Sequence, residues 1–158
     1  MVMPSMAGYS FSKNDLVGRW HCHTTANVKN QPQAWVYHTS IEEIDVDGVS
    51  KSFVVGELGF SHILFRAFFA KSLNEWKLDK DKLYTKITHI DTYVYHDMLE
   101  KPDEEKQEII RMSAEDYKYP LIIKFNDKDT YTLTPTKPPS DDGFFDNVSP
   151  TSCRRMMD

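Results

Sequence analysis

The stretch AWVYHTSIEEIDVDGVSKSFVVGEL, Ala34–Leu58, decides how the rest of the chain is read. β-Branched and aromatic residues alternate with polar ones on both sides of Asp45-Val46-Asp47-Gly48, and Asp-Gly is tight-hairpin chemistry. Ala34 to Ile44 and Val49 to Leu58 therefore read as two antiparallel strands. The same two-residue period extends outward. Upstream, beyond a polar loop from Asn27 to Gln33, Gly18 to Ala26 is a first strand. It is preceded by an entry segment, Phe11 to Val17, with room for one helical turn capped by Ser12 or Asn14.

Downstream, Gly56 and Gly59 mark a bulge or bend, Ser61 to Lys71 is a fourth strand and Glu75 to Leu78 a short fifth. The turn Asp79-Lys80-Asp81-Lys82 leads to Leu83 to His96, a strand too long to be straight and expected to bend near His89 to Asp91. Leu121 to Asn126 and Thr130 to Thr134 pair about Asp127-Lys128-Asp129. Between these, Pro102 with Asp103, Glu104 and Glu105 suits a helix start. Ile109, Ile110 and Met112 make a poor apolar stripe, so a short helix, or a loop feeding a strand near Glu108 to Met112, is expected. The fold class is all-β: an antiparallel up-and-down meander of about eight to ten strands with little helix. It loses its exposed edges most simply by closing into a barrel, ahead of a two-sheet sandwich.

With 158 residues, 40% of them hydrophobic and 27% charged, the chain is long enough for one domain with a real core. We assign residues 1–10 to a flexible N-terminus, 11–137 to a single barrel domain and 138–158 to a flexible, Pro- and Ser-rich tail. No apolar run approaches the roughly 18 residues of a membrane span. A net charge of −5 without any Lys/Arg cluster argues against nucleic acid. Ser5-x-Ala7 behind Pro4 fits the end of an export signal, the alternative being a loose Met-rich terminus. A periplasmic or secreted location is expected ahead of a cytoplasmic one. There, Cys22 and Cys153 could form a single disulfide pinning the tail to the first strand, although an inward Cys22 weighs against it.

Gly18-Arg19-Trp20, at the start of the first strand and just after the entry turn, resembles the G-x-W signature of lipocalins and lipocalin-like, calycin-type barrels. The Asp-Gly turn and the Trp76-Lys77-Leu78 hairpin before Lys82-Leu83-Tyr84 are similar to small bacterial lipocalin-like domains, and Asp91-Thr92-Tyr93 weakly echoes the family's second motif. The resemblance covers Leu16 to Lys137. It implies a barrel whose closed end is plugged by Trp20 and whose interior holds a small apolar or amphipathic ligand. Neither the family's C-terminal helix nor its closing arginine is apparent in the sequence.

Taking Trp20 as inward, alternation sends Cys22 and Thr24 inside and Arg19, His21 and His23 outside. Trp35, Tyr37, Thr39 and Ile41 then read as the inner face of the second strand, Phe53 and Val55 of the third, and Ile63, Phe65, Ala67 and Phe69 of the fourth. Thr85, His89 and Tyr93 complete an aromatic interior with a few hydroxyls. Such an interior either holds a ligand or packs solid. His21 and His23 share one strand face, and a facing His38 would supply a third imidazole for zinc or a haem-like iron, or else all three are simply solvated.

No nucleophile elbow, phosphate-binding loop or His-Glu-x-x-His motif is present. Glu42-Glu43 and Asp141-Asp142 are adjacent in sequence and so diverge in a strand, and the acidic run Asp103 to Glu108 reads as a solvated face. Nothing in the sequence calls for a cofactor or for catalysis. The expected function is non-catalytic binding of a small apolar or amphipathic molecule. The alternatives are a protein-interaction factor, such as an immunity or inhibitor protein against a secreted enzyme, and a metal or haem carrier.

Overall fold

In a computed structural model, residues 9–61, 63–96, 102–138 and 145–157 are described. A turn of helix, α1 (Lys13–Leu16), leads into β1 (Gly18–Val28), followed by β2 (Gln31–Ile44), β3 (Val49–Phe60), β4 (Ile63–Asp79) and β5 (Lys82–His96). Helix α2 (Pro102–Asp116) precedes β6 (Leu121–Asp127), β7 (Thr130–Pro135), β8 (Phe145–Val148) and β9 (Thr151–Arg155). All pairings are antiparallel, and eight strands close into a ring in the order β1-β2-β3-β4-β5-β6-β7-β9. The expected meander and its closure are both present. Among the described residues, no helix is long and apolar enough to cross a membrane.

The ring closes through a segment that the sequence reads as tail. β9 lies between β7 and β1, with Tyr131 opposite Cys153 on one side and Cys22 opposite Cys153 on the other. β8 and β9 run the same way along β1 and are interrupted at Ser149-Pro150, where proline has no N–H to offer the ladder. A Cys22–Cys153 disulfide staples this seam. Inward burial of Cys22 does not prevent it, because Cys153 faces it in register from the neighbouring strand and both are 3% exposed.

Three further expectations change, and a fourth, the bend near His89 to Asp91, holds. Asn27 to Gln33 is no loop: strand pairing continues to a tight turn at Lys29-Asn30. The fourth and fifth strands are one 17-residue strand, β4. The polar residues Ser72 and Asn74, which look like a break, instead face the barrel interior. The bend expected at His89 to Asp91 is a pair of bulges in β5, where Thr88 and Asp91 have no partner opposite.

Finally, α2 is a continuous 15-residue helix. Its inner face needs only one apolar residue, because Glu105, Ile109 and Ser113, each four apart, meet the barrel by different means. Glu105 accepts from Tyr93 Oη (3.1 Å) and pairs with Arg66 (2.5 Å). Ile109 borders the interior, and Ser113 Oγ accepts the Ile87 N–H at 2.8 Å. That last bond matters because β5 and β6 pair only at Lys82–Ile122 and Leu83–Leu121, leaving the remaining edge of β5 for α2 to cover. The outer face of α2 is held by Arg111, which bridges Glu108 and Glu115.

The densest core is the barrel floor. Leu16 and Trp20 are fully buried against Ile123, Phe125 and Tyr131, with Phe11 packed beneath. Ser12 begins α1 by donating its backbone N–H (2.6 Å) and hydroxyl (3.0 Å) to Asp15. The indole N–H of Trp20 then donates to the Leu16 carbonyl at 2.8 Å, so α1 is tied to the plug it covers.

An arginine from β9 covers the floor. The Arg155 guanidinium lies 4.2 Å from the Trp20 ring centroid and donates to the carbonyls of Asp15 (2.7 Å) and Val17 (3.0 Å). Gly18 is required beside it: its φ is +132°, and a Cβ there would sit 2.9 Å from the Arg155 Nη1.

Candidate ligand-binding cavity

Above the floor the barrel is hollow, with a cavity of about 540 Å³. The registers divide its wall in two. On β2, β3 and β4 the inward side chains include Ser40, Glu42, Ser50, Ser52, Ser72 and Asn74, with Glu42 opposite Ser52 and Ser52 opposite Ser72. Facing them are Leu83, Ile87 and Ile90 of β5, with Leu121 and Leu133 of β6 and β7. One wall is therefore mostly polar, and the other is mostly apolar with the hydroxyls of Thr85 and Tyr93 among its side chains.

The polar wall is a connected network. Ser72 Oγ donates to Asn74 Oδ1 (3.2 Å), and Asn74 Nδ2 donates to Ser52 Oγ (2.7 Å) and Ser50 Oγ (3.3 Å). Ser52 Oγ then donates to Glu42 Oε2, and Ser40 also bonds to this carboxyl. The chain of donors ends on Glu42. Five neutral polar side chains in this wall are each under 8% exposed, so mutual bonding is what lets them stay out of water.

Farther from the floor the lining becomes aromatic. Phe68 lies 5.9 Å from the Tyr93 ring and 6.4 Å from His38. The Phe68 ring rests directly on the backbone of Gly56, where an added Cβ would come within 2.1 Å of the ring. Only glycine leaves that space.

Burial, and then the nearby His23, hold the His38 imidazole below its ordinary pKa, so it is neutral at pH 7. Tyr131 is pushed upward by burial and by the Glu42 charge, against Arg155. Burial raises the Glu42 carboxyl above the usual glutamate range despite the bonds from Ser52 and Ser40. The folded chain therefore holds that proton more tightly than the unfolded chain does. Ionised Glu42 costs stability above its folded pKa, and the cost is gone below the unfolded value of about 4.5. Glu42→Gln should raise the melting temperature near neutral pH, with the gain fading toward pH 4. Thermal melts across that range check it, and a gain that persisted at pH 4 would place its origin outside this ionisation.

Of the residues expected inside, Thr85 and Tyr93 line the cavity, and Trp20 is inward beneath it. Trp35, Tyr37, Thr39, Ile41, Phe53, Val55 and Phe69 point outward. The register pairs Trp20 with Glu42 and Cys22 with Ser40, so the even-numbered residues of β2 share the inner face of β1. The aromatic odd-numbered set is on the outside, where Trp35 stacks on Tyr37 at 5.0 Å. His89 also points out and pairs with Asp91 at 3.0 Å, because the bulge at Thr88 reverses the alternation that seats Thr85 and Ile87 inside. The side chains of Ile63 and Phe65, like residues 1–8, lie outside the described set.

The histidines do not converge. His21 and His23 are exposed on the outer face, where His23 Nδ1 bonds Thr39 Oγ1 at 3.0 Å, whereas His38 faces inward. Among the described residues, no group of three or more His, Cys, Asp or Glu could hold a metal ion.

His38, Ser40, Glu42, Ser50, Ser52, Ser72 and Asn74 went unrecognised as lining. The signal was there, since Ser-x-Glu, Ser-x-Ser and Ser-x-Asn repeat the two-residue period on three successive strands. No protein-family model matches the chain, and no curated protein matches it at a significant level.

Proposed function

We propose that the protein is a lipocalin-like carrier that binds a small amphipathic molecule inside its barrel without changing it chemically. The observation that carries this is the cavity of about 540 Å³, a size suited to one small ligand, with a hydrogen-bonding wall facing an apolar one. A protein with no ligand to hold gains stability by filling such a space, since each cavity of methyl size or more costs about 1 kcal/mol. The Trp20 floor with Arg155 stacked against it supports the same barrel type. The disulfide fits an oxidising compartment, periplasmic or extracellular.

The test is titration with the neutral fluorophore N-phenyl-1-naphthylamine. Saturable enhancement is expected for the natural chain. Ala70→Trp, which places an indole in the cavity from β4, should abolish it while the protein still melts cooperatively. Failure of the natural chain to bind, or equal binding by a folded Ala70→Trp, overturns the reading.

A second reading, recognition of another protein, is favoured by the outer sheet face. Val55, Phe69 and Val94 are opposite one another across β3, β4 and β5 and stand 50%, 40% and 61% exposed. The net charge of −5 would complement a basic target.

A further inference from the structure

We propose that the cavity selects a ligand carrying a protonated amine on an apolar body, with Glu42 as its counter-ion. This rests on the carrier reading and gives it a ligand class. Three observations lead to it.

First, among the described residues the lining contains one carboxyl and no lysine or arginine, so none of them gives Glu42 a cationic partner within the cavity. A charge taken from water is stabilised only by a partner and by hydrogen bonds, and here the bonds are supplied and the partner is not. Second, the wall is polarised toward that one group. The Ser72–Asn74–Ser52 chain delivers its last donor to Glu42 Oε2, and a carboxylate has about four acceptor positions, so capacity remains on the cavity side. Third, the remaining surface suits the rest of such a molecule. Ile87, Ile90 and Leu133 face the polar wall, and Phe68 and Tyr93, farther from the floor, offer rings to the apolar body of a molecule whose amine sits at Glu42. A carboxylate ligand would meet Glu42 with like charge and find no lysine or arginine among the described lining.

The test uses three probes of one shape: 4-phenylbutylamine, 4-phenylbutanol and 4-phenylbutanoate, titrated by calorimetry and by displacement of N-phenyl-1-naphthylamine at pH 7.5. The amine should bind about ten-fold or more tighter than the alcohol, and the carboxylate most weakly. In Glu42→Gln the amine's advantage over the alcohol should fall to within about two-fold. If that variant does not fold, the ranking with the natural chain decides alone. Equal binding of amine and alcohol, or tightest binding of the carboxylate, overturns this inference and leaves the carrier reading standing. If neither the three probes nor the fluorophore binds, the carrier reading falls with it.

Discussion

Opening the Cys22–Cys153 bridge should lower the free energy of unfolding by roughly 3 to 5 kcal/mol. The bridged residues are 131 apart in sequence, so the link removes a large loop-closure entropy from the unfolded chain. Its position adds a native-state reason to expect an effect near the top of that range. β9 has five residues, follows Ser149-Pro150, and is the strand that joins β7 to β1. Denaturant titrations of the natural chain with and without reductant measure the effect directly, and Cys22→Ala/Cys153→Ala separates it from thiol chemistry. Hydrogen exchange should report the β9 amides opening before those of β2 and β3. Coincident midpoints with and without reductant would show that strand pairing alone holds the seam.

How much of this was legible in the sequence depends on which forces set each feature. The Asp45–Gly48 turn and the two-residue period are local, and they placed the meander and most strand ends correctly. Trp20 was legible for the same reason, since glycine chemistry and the entry turn stand next to it. The face of β2 was not. Aromatic residues read as core when their neighbours are polar, but here one wall of the interior is polar, and Trp35 and Tyr37 cover the outside while Ser40 and Glu42 face in. Pairing of β2 with β1 decides between these faces, and its parity is set by the irregularity between Asn27 and Val28, where the partner jumps from Trp35 to Gln31, rather than by hydrophobicity.

Bulges hid the rest. Leu83, Thr85 and Ile87 alternate normally, whereas Ile90 and Tyr93 reach the same face three residues apart each time, a spacing that arises only once the extra residues Thr88 and Asp91 are known. The full length of helix α2 escaped because its docking uses Glu105 and Ser113 rather than an apolar stripe. β9 escaped because its pairing partners are Trp20–His23, far away in sequence.

Trp20→Ala should cost about 3 to 5 kcal/mol, enough to unfold a domain of marginal stability at moderate temperature. The indole is fully buried, meets Tyr131 edge-on at 4.6 Å and Phe125 at 6.0 Å, and its N–H satisfies the Leu16 carbonyl that ends α1. Trp20→Phe keeps an aromatic plug but leaves that carbonyl without its donor, which should cost about 1 to 3 kcal/mol. Arg155→Met removes the donors to Asp15 and Val17 and the cation over the ring at once.

Because arginine and indole share a contact and the same turn, their substitutions should not add. A double-mutant cycle of Trp20→Phe and Arg155→Met, read from urea midpoints, should show coupling of about 0.5 to 2 kcal/mol. Additivity within about 0.3 kcal/mol would mean that Arg155 acts on the α1 carbonyls alone and that the stacked geometry contributes nothing to the floor. With coupling present, the floor is a single unit in which Leu16, Gly18, Trp20 and Arg155 each hold the next in place. The hollow above it then rests on a braced base, and the wall is least fastened at the α2-covered seam, where β5 and β6 pair at only two positions.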